Sequence, residues 1–136
     1  MVIDGIKTFL ETCPYLNGAE VGIDFLGSDA YEYTVEIMPE GGTIRKYTDG
    51  ECIKQVGFVF ASRNFYGADN CKNIEFYENF SLWLDECTEN GTLPTLGDGL
   101  EAIGIEAESS GYLYDSAKNT ARYQIQCRLI YHKSGK

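Results

Sequence analysis

The stretch VGFVFASRNFYGAD, Val56 to Asp69, begins as an apolar run and ends in Ser62, Arg63, Asn64, Tyr66 and Asp69. Many active sites are laid out this way, with a buried strand carrying polar groups to a loop. The chemistry then depends on partners for those groups. A serine or cysteine nucleophile needs an imidazole or another base held beside it. The chain has a single histidine, His132, next to Lys133 and close to the C-terminus. A fraying terminus holds an imidazole poorly. Ser62, Arg63 and Tyr66 have no histidine, lysine or metal-ligand cluster to work with. The run is expected to build a sheet, and its polar end to make contacts rather than break bonds.

The other reactive groups point the same way. Asp98 and Glu101, or Glu106 and Glu108, are near enough in sequence to meet, but neither pair has the apolar surroundings that raise a carboxyl pKa. No P-loop, dinucleotide fingerprint or EF-hand pattern occurs. The five cysteines, Cys13, Cys52, Cys71, Cys87 and Cys127, are odd in number and widely spaced, with no C-x-x-C. They read as reduced, buried hydrophobes rather than as a zinc site or a disulfide framework. No catalytic residue, metal or cofactor is assigned.

Charge excludes a further class. The net charge is −10, unfit for a binder that neutralises phosphates. Ten acidic residues and no Lys or Arg lie between Asn73 and Ala117. The bases gather at Arg45, Lys46, Lys54 and Arg63, and again at Lys118, Arg122, Arg128, Lys133 and Lys136. Such a surface has two poles, which suits head-to-tail self-association or an acidic channel lining. No apolar run approaches the ~18–20 residues of a membrane span. The opening MVIDGIKTFLETC lacks the features of a signal peptide, so folding in a cytoplasm is expected.

Length and pattern set the frame that must position these residues. The 136 residues, 43% of them hydrophobic, suit a single domain, 1–136, that folds without disulfides or metal. Val2–Cys13 has its apolar residues in one helical sector and ends at Pro14. Strands are expected at Val21–Leu26, Tyr31–Met38 and Cys52–Ser62, the last apolar on both faces as befits a central strand. PEGGTIRKYTDGE, Pro39–Glu51, reads as a long mobile loop with a short strand over Ile44–Tyr47, and as a docking element through Ile44, Arg45, Lys46 and Tyr47. Asn73–Asn90 is an amphipathic helix with Phe76, Tyr77, Phe80, Trp83, Leu84 and Cys87 on one face. Its opposite face is acidic and carries Leu82. Ala102–Glu108 alternates with Ile103, Ile105 and Ala107 on one side. Gly111 marks a bulge or turn, and Tyr112–Tyr114 re-enters the sheet. Thr120–Tyr131 alternates over its length, with Ile130 the exception. The order of elements predicts an α+β sandwich, a mainly antiparallel sheet with both helices on one face.

Three stretches, IKQVGFVFASRNFYGADN, LPTLGDGLEAIGIEAESSGYLYD and NTARYQIQCRLIYH, together resemble a set of short proteins from the head–tail joining region of tailed phages and prophages of Gram-positive bacteria. That family is described as a phage minor capsid protein and looks like a tail terminator. The resemblance runs from about Pro14 to His132. It implies a non-enzymatic virion protein with a tail-terminator-like sandwich fold, made in a host bacterial cytoplasm. It also implies rings, commonly hexameric, that cap the tail tube, meet the head connector and let DNA pass without specific binding. On that reading Arg63, Tyr66, Leu82, Arg122 and Arg128 join the 44–47 segment as contact residues. The competing expectation is a small enzyme or ligand-binding module of α+β fold, which requires a deep pocket with convergent polar groups.

Overall fold

The computed structural model describes residues 2–24, 26, 32–46, 50–65, 71–117 and 120–134. Apolar residues at helical spacing build α1 over Val2–Leu10, which buries Ile6, Phe9 and Leu10. The helix stops short of Cys13. Thr12 donates its hydroxyl to the Phe9 carbonyl at 2.6 Å, and Pro14–Leu16 form one 3-10 turn. Asn17 and Gly18 follow with φ of 53° and 80°. That is the left-handed turn which an Asn-Gly pair tolerates at low cost.

Six strands form one mixed sheet: β1 (Val21–Ile23), β2 (Glu32–Lys46), β3 (Cys52–Phe65), β4 (Leu100–Ala107), β5 (Tyr112–Ala117) and β6 (Thr120–Lys133). The spatial order is β1-β2-β3-β6-β4, with β5 also on β6. Only β1 and β2 run parallel; every other pairing is antiparallel. β4 and β5 take successive lengths of the same edge of β6: Ala107 is opposite Cys127, and Tyr112 is opposite Gln124. Between them Glu108 and Ser109 both donate their amides to the Gln126 carbonyl. The segment is thus one interrupted strand with a bulge ahead of Gly111.

Two expectations fail here. Pro39–Glu51 is not a long loop, because residues up to Lys46 continue β2 and pair with β3 as far as Lys46 opposite Cys52. The register shifts between Ile37 and Gly41 and again between Thr43 and Arg45. Pro39 falls in the first irregularity, the kind of place where a sheet accommodates a residue lacking an amide proton. Pairing with a long neighbour outweighs the weak strand preference of Gly41 and Gly42. In the second failure, β4 shifts register between Ala102 and Gly104. Ile103 is the extra residue, so it leaves the face that Ile105 and Ala107 occupy and stands 46% exposed.

α2 (Cys71–Asn90) lies across the sheet with α1 beside it. Phe80 stacks on Phe60 of β3 with centroids 4.5 Å apart, Phe76 on Tyr33 at 6.1 Å, and Trp83 on Phe9 of α1 at 4.9 Å. Stacked pairs contribute about 0.5–1.5 kcal/mol beyond the area they bury. Both helices therefore cover one face, over a continuous core that includes Phe58, Phe60, Tyr123, Ile125, Cys127 and Leu129. The helix stops at Gly91, φ 74°. The amides of Gly91 and Thr92 donate back to Thr88 and Cys87, the paired closure that a left-handed residue permits. No helix of the described residues is long and apolar enough to cross a membrane.

Two outcomes follow from this packing. Cys13, Cys87 and Cys127 are free and buried, and burial pushes the Cys13 thiol up to about 11. Thiol labelling of the native protein near neutral pH should be slow at all three, and rapid modification of Cys87 or Cys127 would contradict the face assignments. Separately, Glu11 accepts from Lys7 Nζ at 2.8 Å and from the Val21 amide at 2.9 Å, tying α1 to β1. Partial burial raises its pKa, but the two hydrogen bonds outweigh that and hold the carboxyl below the ordinary range. A depressed carboxylate stabilises the fold above its unfolded pKa, and that contribution is lost as pH falls through the folded value. Glu11→Gln should therefore be less stable than the parent in neutral-pH urea titrations, with the difference shrinking on acidification below the carboxylate range.

Candidate interaction surface

The polar end of the opening stretch turns inward. Ser62 and Asn64 alternate with Arg63 along β3, so they share the helix-covered face with Phe58 and Phe60, and both are buried. Ser62 Oγ bonds Asn64 Oδ1 at 2.6 Å and meets the Tyr77 hydroxyl of α2. Tyr77 donates to the Tyr123 carbonyl at 3.0 Å, and Asn64 Nδ2 donates to Asn73 Oδ1, also at 3.0 Å. Burial raises the Tyr77 pKa strongly, so its phenol stays protonated. This cluster fastens the first turns of α2 to β3 and β6. Gly111 shares the joint: a Cβ there would overlap the Tyr77 ring and its Cβ.

Arg63 points to the other face, between Glu32 and Arg122 in cross-strand register, and Asp115 lies opposite Arg122 on β5. The arginines expected to serve a neighbouring molecule are engaged at home. Arg122 reaches Glu36 at 3.1 Å and Gln124 at 3.0 Å, and its guanidinium sits 4.9 Å from the Tyr114 ring centroid. Gln124 in turn donates to the Tyr112 hydroxyl at 2.7 Å. Arg128 pairs with Glu106 and donates to Gln55 at 3.3 Å. Glu106 belongs to the acidic segment, so part of that segment meets the bases of the last strand within one chain. Reversing either arginine would break the sheet's own polar network before it tested any interface.

The expectation for His132 also changes. It lies in β6, opposite Ile53 and Glu101, with Nε2 3.6 Å from Glu51, not in a fraying tail. Among the described residues no group of three or more His, Cys, Asp or Glu is placed to hold a metal ion. The carboxylates Glu75, Glu78, Asp85, Glu86 and Glu89 are exposed along α2. Leu82 is 59% exposed among them, as its position in the acidic face implies. Arg45 is exposed at the far end of β2, and Ile44 and Lys46 are in the same strand. Tyr47 and Tyr66 lie outside the described residues.

Sequence reasoning missed one group of exposed residues. Ile74 on α2, Ile103 on β4, and Leu113 and Tyr114 on β5 are exposed. With Leu82 they lie on α2 and on the strands at one edge of the sheet. The signal for Ile74 was its place one turn before Glu78 and two before Leu82; Ile103 had none, because its bulge is a matter of register. Two surface grooves flank α1 and α2. One of about 580 Å³ lies between α1 and residues 92–97, lined by Thr8, Phe9, Leu93 and Pro94. The other, about 430 Å³, runs between the C-terminal half of α2 and β4.

No protein-family model matches the chain, and no curated protein matches it.

Removing the Tyr77 hydroxyl isolates the role of the buried cluster. Tyr77→Phe should lose about 1–3 kcal/mol in urea unfolding while leaving the exposed surfaces unchanged. An unaltered midpoint would show that the cluster does not hold α2 in place.

Proposed function

We propose that the chain is a structural protein of a phage or prophage particle, a minor capsid or tail-terminator protein that works through contacts with copies of itself, the tail tube and the head connector. The observation that carries this reading is the exposed apolar series Ile74, Leu82, Ile103, Leu113 and Tyr114 on α2 and the β4–β5 edge. Its polar counterpart on the sheet, Arg122 and Arg128, is satisfied internally. Exposed apolar residues on α2 and along the β4–β5 edge, with acids among them, suit a protein–protein contact. The three stretches that resemble the head–tail joining family support the more specific role. The acidic surface fits a passage that DNA crosses without adhering.

A second reading rests on the groove beside α1. Its Thr8, Phe9, Leu93 and Pro94 walls would suit a small apolar ligand, making the chain a binding module.

Genome and particle separate the two. The encoding gene should lie among portal, major capsid and tail-tube genes, and mass spectrometry of purified particles should find the polypeptide in low copy number. A gene set in a metabolic neighbourhood, together with its absence from particles, would contradict the virion reading and favour the binding module.

A further inference from the structure

We infer that the groove between α2 and β4 is the receiving half of a contact between copies of this chain, and that it takes the basic end of the β2–β3 hairpin of the neighbouring copy. This rests on the reading as a self-assembling virion protein and names the surfaces that would assemble it.

The groove is built rather than incidental. Its floor includes Ile130 and the outward-turned Ile103, and Asp85, Glu89 and Glu106 stand around it. Thr88 closes its base: the hydroxyl donates to the Ile105 carbonyl at 2.8 Å and accepts from the Ile105 amide at 3.1 Å. That side chain occupies the outward amide and carbonyl of Ile105, so at this point an added strand would find those groups already taken, and entry of side chains is favoured. Leu82, one turn before Asp85 on α2, extends the apolar surface along the helix.

The charge of the groove calls for a cation. Arg128 already offsets Glu106. Asp85 and Glu89 are exposed, and Glu89 falls in the last turn of a helix that has no basic residue there. The C-terminal end of a helix carries partial negative charge, so an acid at that position is unfavourably placed until a cation approaches. An arginine entering the groove answers both the carboxylates and the helix end, and its stem can lie on Ile103.

The same chain supplies such a group on its opposite side. Arg45 is exposed near the end of β2, followed by Lys46, with Lys54 opposite Thr43 on β3. β2 and β4 are separated by β3 and β6 in the sheet order, a distance of about 14 Å at the usual strand spacing. Donor and receiver thus lie towards opposite sides of one rigid sheet. Unlike surfaces on opposite sides join copies head to tail, and such contacts build a ring where the rotation between neighbours closes and an open filament where it does not; the virion reading calls for the ring.

Reciprocal charge reversal tests this. Sedimentation velocity over a rising concentration series would compare the parent with Arg45→Glu, Glu89→Arg, an equimolar mixture of those two, and the double variant. Both positions are exposed, and thermal unfolding checks that each variant keeps its fold. Each single variant should need at least tenfold more protein to assemble. The mixture should recover, because each copy then meets a neighbour of opposite charge at both contacts, and the double variant should recover too. Parent assembly should weaken with added salt. If the parent assembles and the single variants match it, or the mixture fails to recover, this contact is wrong while the virion reading stands. If the parent stays monomeric throughout, the contact and the self-assembly on which it rests both fall.

Discussion

The pairing of β3 with β6 is the constraint on which the other elements depend. It runs from Cys52 opposite Lys133 to Phe65 opposite Thr120 without a shift in register. Because side chains alternate, that register decides everything on both faces at once. On one face it aligns Phe58 with Cys127, Phe60 with Ile125 and Ser62 with Tyr123, the floor on which α2 lies. On the other it sets Arg63 against Arg122 and Gly57 against Arg128. A slip of one residue would put Arg63 under α2 and take Phe58 and Phe60 off the face that α2 covers.

The second determinant is how α2 is held to that floor. Aromatic stacking supplies area but tolerates sliding, whereas the Tyr77 hydrogen bonds to Ser62 and the Tyr123 carbonyl have one geometry. Gly111 lets Tyr77 settle against the bulge between β4 and β5. Thr88 does the equivalent at the other end of the helix, bonding Ile105. With both ends fixed, the outer face of α2 and the β4 edge form one continuous surface. The position of Leu82 and of the helical carboxylates relative to Ile103 is then a property of the fold.

Much of this was legible in the residue pattern. The periodicity of α2 and the near-regular alternation of β6 each report one main buried face, so those faces follow directly, while each element runs two residues beyond the pattern, α2 from Cys71 and β6 to Lys133. The apolar character of both faces of VGFVFA marks a strand with neighbours on each side, and Val59 and Ala61 are buried opposite Phe58 and Phe60. The extension of β2 past Pro39 was not legible, since glycine and proline weigh against a strand until a long partner is known to lie alongside. The exposure of Ile103 depends on a bulge, and a bulge is set by the register of two strands rather than by either sequence. For the same reason Arg122 and Arg128 read as free bases: their partners Glu36 and Glu106 are distant in the chain and meet them only across the sheet.

The central claim is that opposite sides of this sheet carry matching halves of a self-contact that closes on itself. Electron microscopy of the concentrated protein in low salt tests it most directly. The account predicts closed rings of uniform size with a central opening, which disperse when salt is raised. Isolated particles of monomer size at every concentration, or open filaments that never close, would contradict it.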